Sequence, residues 1–508
     1  MTVGLAPLTI EQVLSLARGN ARPALPRDTS WSTQIERGVN AIATRVAAGE
    51  VIYGVSTGVG DSCETMVPAA FVRDLQINLV RFHGCGVGRL LTPLESGAVV
   101  AVRLASLTRG WSAVRPELLQ GLCDLLAHRL LPCIPAQGSV GASGDLTPLS
   151  YLAAVLTGDR EVYVDGHPAA AREALARAGL VPLQLQAKEA LAIMNGTSVM
   201  TALACVAFEQ SMRLARLSAA LTAMASDVTQ GNQAHFDDRL FAAKPHPGQR
   251  AAARWIASDI AYDAKTRRSV DRVQDRYSIR CAPHVIGVLL DAAPFLRSTL
   301  EIEINSANDN PLVDPETGEV LHGGNFYGGH VCLAMDLLKN TVANLADLLD
   351  RQMALICNPA MNQGGLAANL VARTEADGAA HHGFKAMQIT TSALAAEALK
   401  LTMPASAFSR STECHNQDKV SMGTIAARDC LTILELTETV AAIHLLALCQ
   451  AVDLRGLAAC GPRARTLHAA VRALVPVNLA DRRMDGDIAR VLEAMRSNAL
   501  PIGKCELP

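Results

Sequence analysis

Two stretches of this chain run without a proline or a glycine, from about Val331 to Ile356 and from about Ile425 to Val452. In the first, apolar residues recur every three to five positions, at Leu333, Leu337, Val342, Leu345 and Leu348. That is the period of a helix, not of a strand. At 1.5 Å per residue each stretch makes a rod on the order of 40 Å long. Rods of this length, rich in alanine and leucine, bury their apolar faces only against other helices, so the chain is constrained to a bundle with close packing. The alanine-rich stretch from Thr201 to Asp227 is interrupted by Glu209, Arg213 and Arg216, which argues against a membrane span there. Strand-like pieces are short, as at Arg160 to Val164 before the turn Asp165-Gly166. The pattern Thr9-Ile10-Glu11-Gln12 is a capping box before a short helix that Gly19 ends.

With 508 residues, half of them hydrophobic, the chain can bury a large core. Length alone suggests about three domains. Glycine and the distinctive motifs concentrate in a loop-rich, mixed region, 1–200. The long helices occupy 201–455, and a shorter polar helical tail follows at 456–508. Motifs in the first two regions have to meet in space, so the three are expected to form one interlocked unit. The fold class expected is all-α.

Lysine plus arginine (46) nearly balances aspartate plus glutamate (48), which gives no footprint for a nucleic acid. No secretory leader is recognisable in Met1-Thr2-Val3-Gly4-Leu5-Ala6-Pro7. No apolar run reaches the roughly 18 uncharged residues of a membrane span. The expectation is a cytoplasmic protein without a membrane partner. Thirteen cysteines are scattered with no Cys-x-x-Cys pair, so neither a disulfide framework nor a zinc site is suggested. His381 and His382 are adjacent and would diverge on a helix, and no metal site is expected. Gly84-x-Gly86-x-Gly88 is not a dinucleotide fingerprint, because its third glycine falls one residue early.

The segment Gly138-Ser139-Val140-Gly141-Ala142-Ser143-Gly144-Asp145-Leu146-Thr147-Pro148-Leu149 carries an Ala-Ser-Gly triplet in a glycine-rich loop. Gly141 and Gly144 allow a compact backbone. Thr147 is a plausible N-cap and Pro148 fits the first helical position, with Gly158 closing the helix. Further motifs are Tyr53-Gly54-Val55-Ser56-Thr57-Gly58-Val59-Gly60, Leu191-Ala192-Ile193-Met194-Asn195-Gly196-Thr197, Gln274-Asp275-Arg276-Tyr277-Ser278-Ile279-Arg280, Asn305-Ser306-Ala307-Asn308-Asp309-Asn310-Pro311-Leu312, Gly323-Gly324-Asn325-Phe326 and Asn416-Gln417-Asp418-Lys419-Val420-Ser421-Met422-Gly423. Taken singly, Tyr53 could be a packed aromatic and Arg280 a surface salt-bridge partner. If 274–280 is helical, Gln274, Tyr277 and Arg280 lie roughly along one face.

These segments, in this order, resemble the histidine and aromatic amino acid ammonia-lyases and the related aminomutases. The resemblance implies a long helical bundle of the ammonia-lyase type. It also implies a homotetramer with active sites built from more than one subunit, and an electrophile made by the protein itself. In the family, Ala-Ser-Gly cyclises and loses water to give 4-methylidene-imidazole-5-one (MIO). Here the precursors are Ala142, Ser143 and Gly144, and no added cofactor is implied. The reaction is loss of ammonia across Cα–Cβ, which needs an electrophile for the amine, a base for a weakly acidic proton and an anchor for the carboxylate. Tyr53 is then the base, and its phenol, ordinarily near pKa ~10, has to be shifted down. Arg280 grips the carboxylate in two places. Asn195 and Tyr277 complete the catalytic set. Gly60, Gln274, Asn308 and Phe326 bind substrate, and Asn308 to Asn310 organise loops through side-chain-to-backbone bonds. His284 occupies the place of a glutamine in the family's Arg-x-x-Pro-Gln.

Two positions address the substrate. Histidine enzymes carry Gln-Glu-Asp in the late motif, their glutamate recognising the imidazole. Gln417 stands there in this chain, and a neutral amide cannot accept a proton as a carboxylate can. After Asn78-Leu79-Val80-Arg81 the phenylalanine enzymes show Phe-Leu, the tyrosine enzymes His-Leu and the histidine enzymes Ser-His. This chain has the hybrid Phe82-His83. A histidine beside the ring can hydrogen-bond a para-hydroxyl, and such a site disfavours a substrate lacking one. The expectation is therefore elimination of ammonia from L-tyrosine to give p-coumarate, with L-DOPA or L-phenylalanine possible. The alternatives are a histidine ammonia-lyase, a tyrosine or phenylalanine 2,3-aminomutase, and a catalytically silent helical scaffold.

Overall fold

The computed structural model describes residues 1–260, 273–362, 365–373 and 376–505. It is 60% helix and 6% strand. The all-α class and the long rods are both found. The two expected rods are Gly329–Cys357 and Gly423–Arg455, and two further long helices, Ser198–Val228 and Ala282–Ile304, accompany them. Val342, Leu345 and Leu348 are buried as the periodicity predicts, whereas Leu333 and Leu337 are exposed. Two segments, Tyr277–Ile304 and Gly423–Arg455, have the length and mean hydropathy to cross a membrane when up to two charges are allowed, but neither contains 18 uncharged residues in a row. Most of the apolar window in Gly423–Arg455 is buried inside the protein, as in a core helix.

The chain divides into two compact units, each made of three separated segments. They do not follow the expected boundaries 1–200, 201–455 and 456–508. The first unit comprises Met1–Glu209, Leu296–Asp336 and Pro404–Arg428. Its central helix, Pro93–Leu107, is buried from Glu95 to Leu107. The start is fixed by Pro93 in the first turn and by a reciprocal capping box between Thr92 and Glu95. It packs on Ile10–Arg18, whose capping box and left-handed Gly19 stand where the sequence put them. The two backbones approach so closely that a Cβ at Gly97 would lie 2.8 Å from the Ala17 carbonyl oxygen. The strand Glu161–Val164 pairs antiparallel with His167–Ala170 across Asp165-Gly166, both left-handed, as a tight hairpin requires.

Three shorter helices of this unit, Val72–Phe82, Leu146–Leu156 and Glu189–Met194, pack on one another. Beneath them lies a set of buried charges. The Lys188 ammonium meets Asp309 Oδ2 at 2.5 Å, both side chains without solvent exposure. Arg103, equally buried, donates to the Ala192 carbonyl, to Ser198 and to Asn308 Oδ1. Burial pushes its guanidinium down to about 10, against the nearby charges of Asp309 and Asp145.

The second unit comprises Gln210–Phe295, Leu337–Met403 and Asp429–Pro508. A buried polar cluster ties its long helices together. The Gln352 amide donates to Thr222 Oγ1 at 2.9 Å and to the Ser278 carbonyl at 2.8 Å, and its oxygen meets His444 Nε2 at 3.2 Å. Asp259 accepts from Arg216 at 2.7 Å and from Arg463 at 3.3 Å.

Candidate active site

The helix that follows the Ala-Ser-Gly triplet spans Leu146–Leu156 and starts earlier than the sequence suggests. Thr147 and Pro148 lie inside its first turn. Asp145 precedes it, with its side chain spent elsewhere. Asp145 Oδ2 accepts the Val199 and Met200 amides at 3.1 and 2.8 Å, at the start of Ser198–Val228. Its Oδ1 accepts from Ser139 and Thr424. One buried carboxylate thus joins the triplet loop to two long helices. Gly144 and Gly196 form a parallel bridge, with Asp145 N–H donating to the Gly196 carbonyl at 2.8 Å. Gly144 is left-handed, and a Cβ there would sit 2.1 Å from that oxygen. The turn is compact and crowded, and position 144 has no room for a side chain.

The triplet opens onto a cavity of about 700 Å³ within the first unit. Ala142, Ser143 and Leu146 come from the loop and helix just described. Phe82 and His83 end the helix Val72–Phe82. Leu191 belongs to Glu189–Met194 and Asn195 follows it. Tyr53 and Gly60 lie on the preceding loop, Phe326 on a later one, and Gln417 on the segment 411–418. Nine of the expected residues therefore share this cavity: Tyr53, Gly60, Phe82, His83, Ala142, Ser143, Asn195, Phe326 and Gln417.

The polar side chains among them have defined partners. Tyr53 Oη accepts the Gly60 N–H at 2.8 Å. Burial pushes its phenol up from the ordinary value, opposed by that amide, with Cys63 and Glu413 adding to the rise. The direction is opposite to the downward shift the sequence reading required. His83 Nδ1 lies 2.9 Å from the Leu79 carbonyl, and burial lowers its pKa. The ring is therefore neutral, donates from Nδ1 and keeps Nε2 as an acceptor. Asn195 donates to the Asn310 carbonyl at 2.8 Å, while its buried Oδ1 has no protein partner among the described residues. Gln417 Nε2 donates to Ser143 Oγ at 3.1 Å. The orphaned Asn195 oxygen, the Gln417 donor and the crowded glycine turn all fit an MIO group at 142–144.

Asn308 is not in the cavity wall. It is buried and accepts from Ser106 and Arg103 while donating to the Glu303 carbonyl, so it builds the scaffold. Asn310 lines the cavity instead and accepts the Gly323 amide. Gln274, Tyr277 and Arg280 lie in the second unit, around a separate pocket of about 290 Å³. Only Tyr277–Arg280 is helical, so Gln274 does not share a helix face with them. The Arg280 guanidinium stacks 4.6 Å above the exposed Tyr277 ring and donates to the Asp275 carbonyl. His284 packs on Phe241 in a third pocket. No cluster of metal-ligating side chains occurs among the described residues.

The sequence reading missed His322 and Glu413, which also line the cavity. The His322 ring meets Tyr53 edge-on at 6.5 Å. Its signal was adjacency to Gly323-Gly324. Glu413 stands three residues before Asn416 in a loop whose shape the sequence did not disclose.

A family model described as aromatic amino acid lyase matches residues 8–473. The chain belongs to that family. It is 39% identical over 497 residues to the histidine ammonia-lyase of Gloeobacter violaceus, covering 97% of this chain and 95% of that one. Among solved structures it resembles the tyrosine aminomutase of Streptomyces globisporus, with a TM-score of 0.91, 34% identity and coverage of 98% and 97%. It likewise resembles the histidine ammonia-lyase of Trypanosoma cruzi, with a TM-score of 0.87, 30% identity and coverage of 98% and 93%. Aromatic amino acid lyases form MIO from their own chain, and Ala142-Ser143-Gly144 is the corresponding segment here.

Proposed function

We propose that this enzyme eliminates ammonia from L-tyrosine, giving p-coumarate. The observation that carries the substrate choice is Gln417. It is a neutral amide directed at Ser143, at the place where the histidine enzymes are expected to carry a glutamate. Glu413, a carboxylate of the cavity wall, gives both its oxygens to the Asp61 amide. His83 offers an acceptor nitrogen to a ring that carries a donor, which a phenol supplies and phenylalanine does not. L-DOPA shares that donor.

MIO supplies the electrophile that makes the amine a leaving group. The chain's own residues do the rest. Tyr53 takes the β-proton, and for this it must first lose its own. With its phenol pushed up by burial, turnover rises toward alkaline pH, and the Gly60 amide is what stabilises the phenolate. Asn195 Oδ1 provides a free acceptor beside the triplet. Phe82, Leu191 and Phe326 present apolar surface to the aromatic ring. Among the described residues lining the cavity the cation is Lys419, and no arginine is present. Arg280 is proposed as the carboxylate anchor, contributed from another copy in a homotetramer with shared sites. The exposed stripe Val288, Phe295 and Ile302, seven residues apart on one helix, supports such an assembly.

The second reading is a histidine ammonia-lyase. It is favoured by the 39% identity over nearly the whole chain to an enzyme of that name, and an imidazole N–H could also donate to His83. Near-ultraviolet absorbance with L-tyrosine, L-phenylalanine and L-histidine offered separately decides between them, because each product is an acrylate with its own band. A fastest rise with tyrosine supports the first reading. A rise with histidine alone replaces it with the second.

A further inference from the structure

We propose that Glu413 is a positioning residue that clasps the Tyr53 loop shut by accepting the Asp61 amide. The inference rests on the lyase reading above and adds a residue that the family motifs do not include.

The geometry is specific. Both carboxylate oxygens of Glu413 lie 3.0–3.1 Å from the Asp61 nitrogen. A Cβ built on Gly60 would fall 2.5 Å from the carboxylate, so the group rests directly on the bare Gly60 backbone. Gly60 is left-handed, and its own amide donates to Tyr53 Oη. The contact therefore runs from Glu413 through two consecutive residues to the phenol oxygen. A side chain at position 60 would break it.

The segment that presents Glu413 is itself held tightly. Glu413, Cys414 and His415 are three consecutive non-glycine residues with φ of +50°, +53° and +65°. Each such conformation costs about 1 kcal/mol or more, so the surroundings must enforce the run. Reciprocal bonds between the Thr412 and Gln417 backbones close the loop, and Ser411 Oγ meets His415 Nδ1 at 2.8 Å. Gln417, at the end of the same tight loop, donates to Ser143. One strained loop thus fixes the distance between the triplet and the base. The cost of the backbone strain is consistent with a functional purpose.

The charge of Glu413 also acts on Tyr53. The groups facing the phenol are the Gly60 amide, Cys63, His322 and Glu413, with Asp418 and Lys419 elsewhere in the cavity wall. A negative charge close by disfavours the phenolate, so Glu413 trades base strength for loop position.

Two variants separate these effects. Glu413→Gln keeps an acceptor for Asp61 but removes the charge. The rising limb of kcat/KM against pH then moves to lower pH by ~0.5 unit, with little change in KM. Glu413→Ala removes the clasp. Exchange of the Asp61 amide with deuterated solvent, measured on the full chain without substrate, becomes roughly tenfold faster or more, and KM rises. Unchanged Asp61 exchange in Glu413→Ala overturns the clasp whatever the activity. An unmoved pH limb in Glu413→Gln overturns the electrostatic part. Faster Asp61 exchange in an enzyme that yields no acrylate from any of the three amino acids upholds the clasp and removes the lyase reading instead.

Discussion

Replacing Lys188 by methionine should unfold the first unit far more easily than the loss of one ordinary lysine would. The Lys188 ammonium and Asp309 Oδ2 are 2.5 Å apart and neither side chain meets solvent. At an effective dielectric of about 20 their attraction is about 7 kcal/mol. Most of that offsets the cost of taking two charges out of water, which is why burial still lowers the pKa of Lys188. The net value of the pair is therefore small, but the cost of breaking it is not. Lys188→Met strands the Asp309 carboxylate, leaving it the Asn310 amide and the charge of Arg103, and the expected loss is about 3–5 kcal/mol. Lys188→Met combined with Asp309→Asn removes both charges and should recover most of it. The assay is guanidinium titration followed by fluorescence of Trp31 and Trp111, both in the first unit, for wild type, each single variant and the double. The consequence should also reach the site. Lys188 precedes the helix Glu189–Met194, and Asp309 precedes Asn310, whose carbonyl holds Asn195. A single variant within about 1 kcal/mol of wild type, or a double variant no better than the singles, refutes the reasoning.

Other expectations are narrower. Tyr53→Phe should cut turnover by about 10²-fold or more while leaving MIO formation intact, checked by the mass of the peptide carrying 142–144. His83→Leu removes the free Nε2 acceptor and should lower the kcat/KM ratio of tyrosine to phenylalanine roughly tenfold. His444 is fully buried and its pKa is pushed down to about 3. Between the ordinary 6.5 and that value the unfolded chain holds one more proton than the folded one, so stability falls as pH falls, at up to about 1.4 kcal/mol per pH unit. His444→Gln should flatten the decline of the unfolding free energy between pH 6 and pH 4.5 by up to that amount per pH unit.

What was legible in the sequence was what local chemistry decides. The rods Gly329–Cys357 and Gly423–Arg455 followed from periodicity and the absence of helix breakers, whereas Ala282–Ile304, which carries Pro294, did not. The Thr9 capping box and the Asp165-Gly166 hairpin needed only their own few residues. What was not legible depended on partners distant in sequence. Thr147 reads as an N-cap until Asp145 is seen holding the start of Ser198–Val228. Gln274, Tyr277 and Arg280 share a face only on a helix longer than the single turn Tyr277–Arg280 that forms. Asn308 looks like a site residue until Arg103 and Ser106 claim its oxygen. The Tyr53 phenol moves up because burial outweighs the Gly60 amide, a balance no motif encodes. Glu413 reaches the cavity through a left-handed run that no propensity favours.

The central claim is that the cavity works through a group made from Ser143. The most direct measurement compares wild type with Ser143→Ala for simultaneous release of ammonia and an acrylate absorbance from L-tyrosine and L-histidine, with circular dichroism confirming equal helix content. The account predicts turnover in wild type and a loss of nearly all of it in the variant. Equal turnover in a correctly folded Ser143→Ala would contradict it.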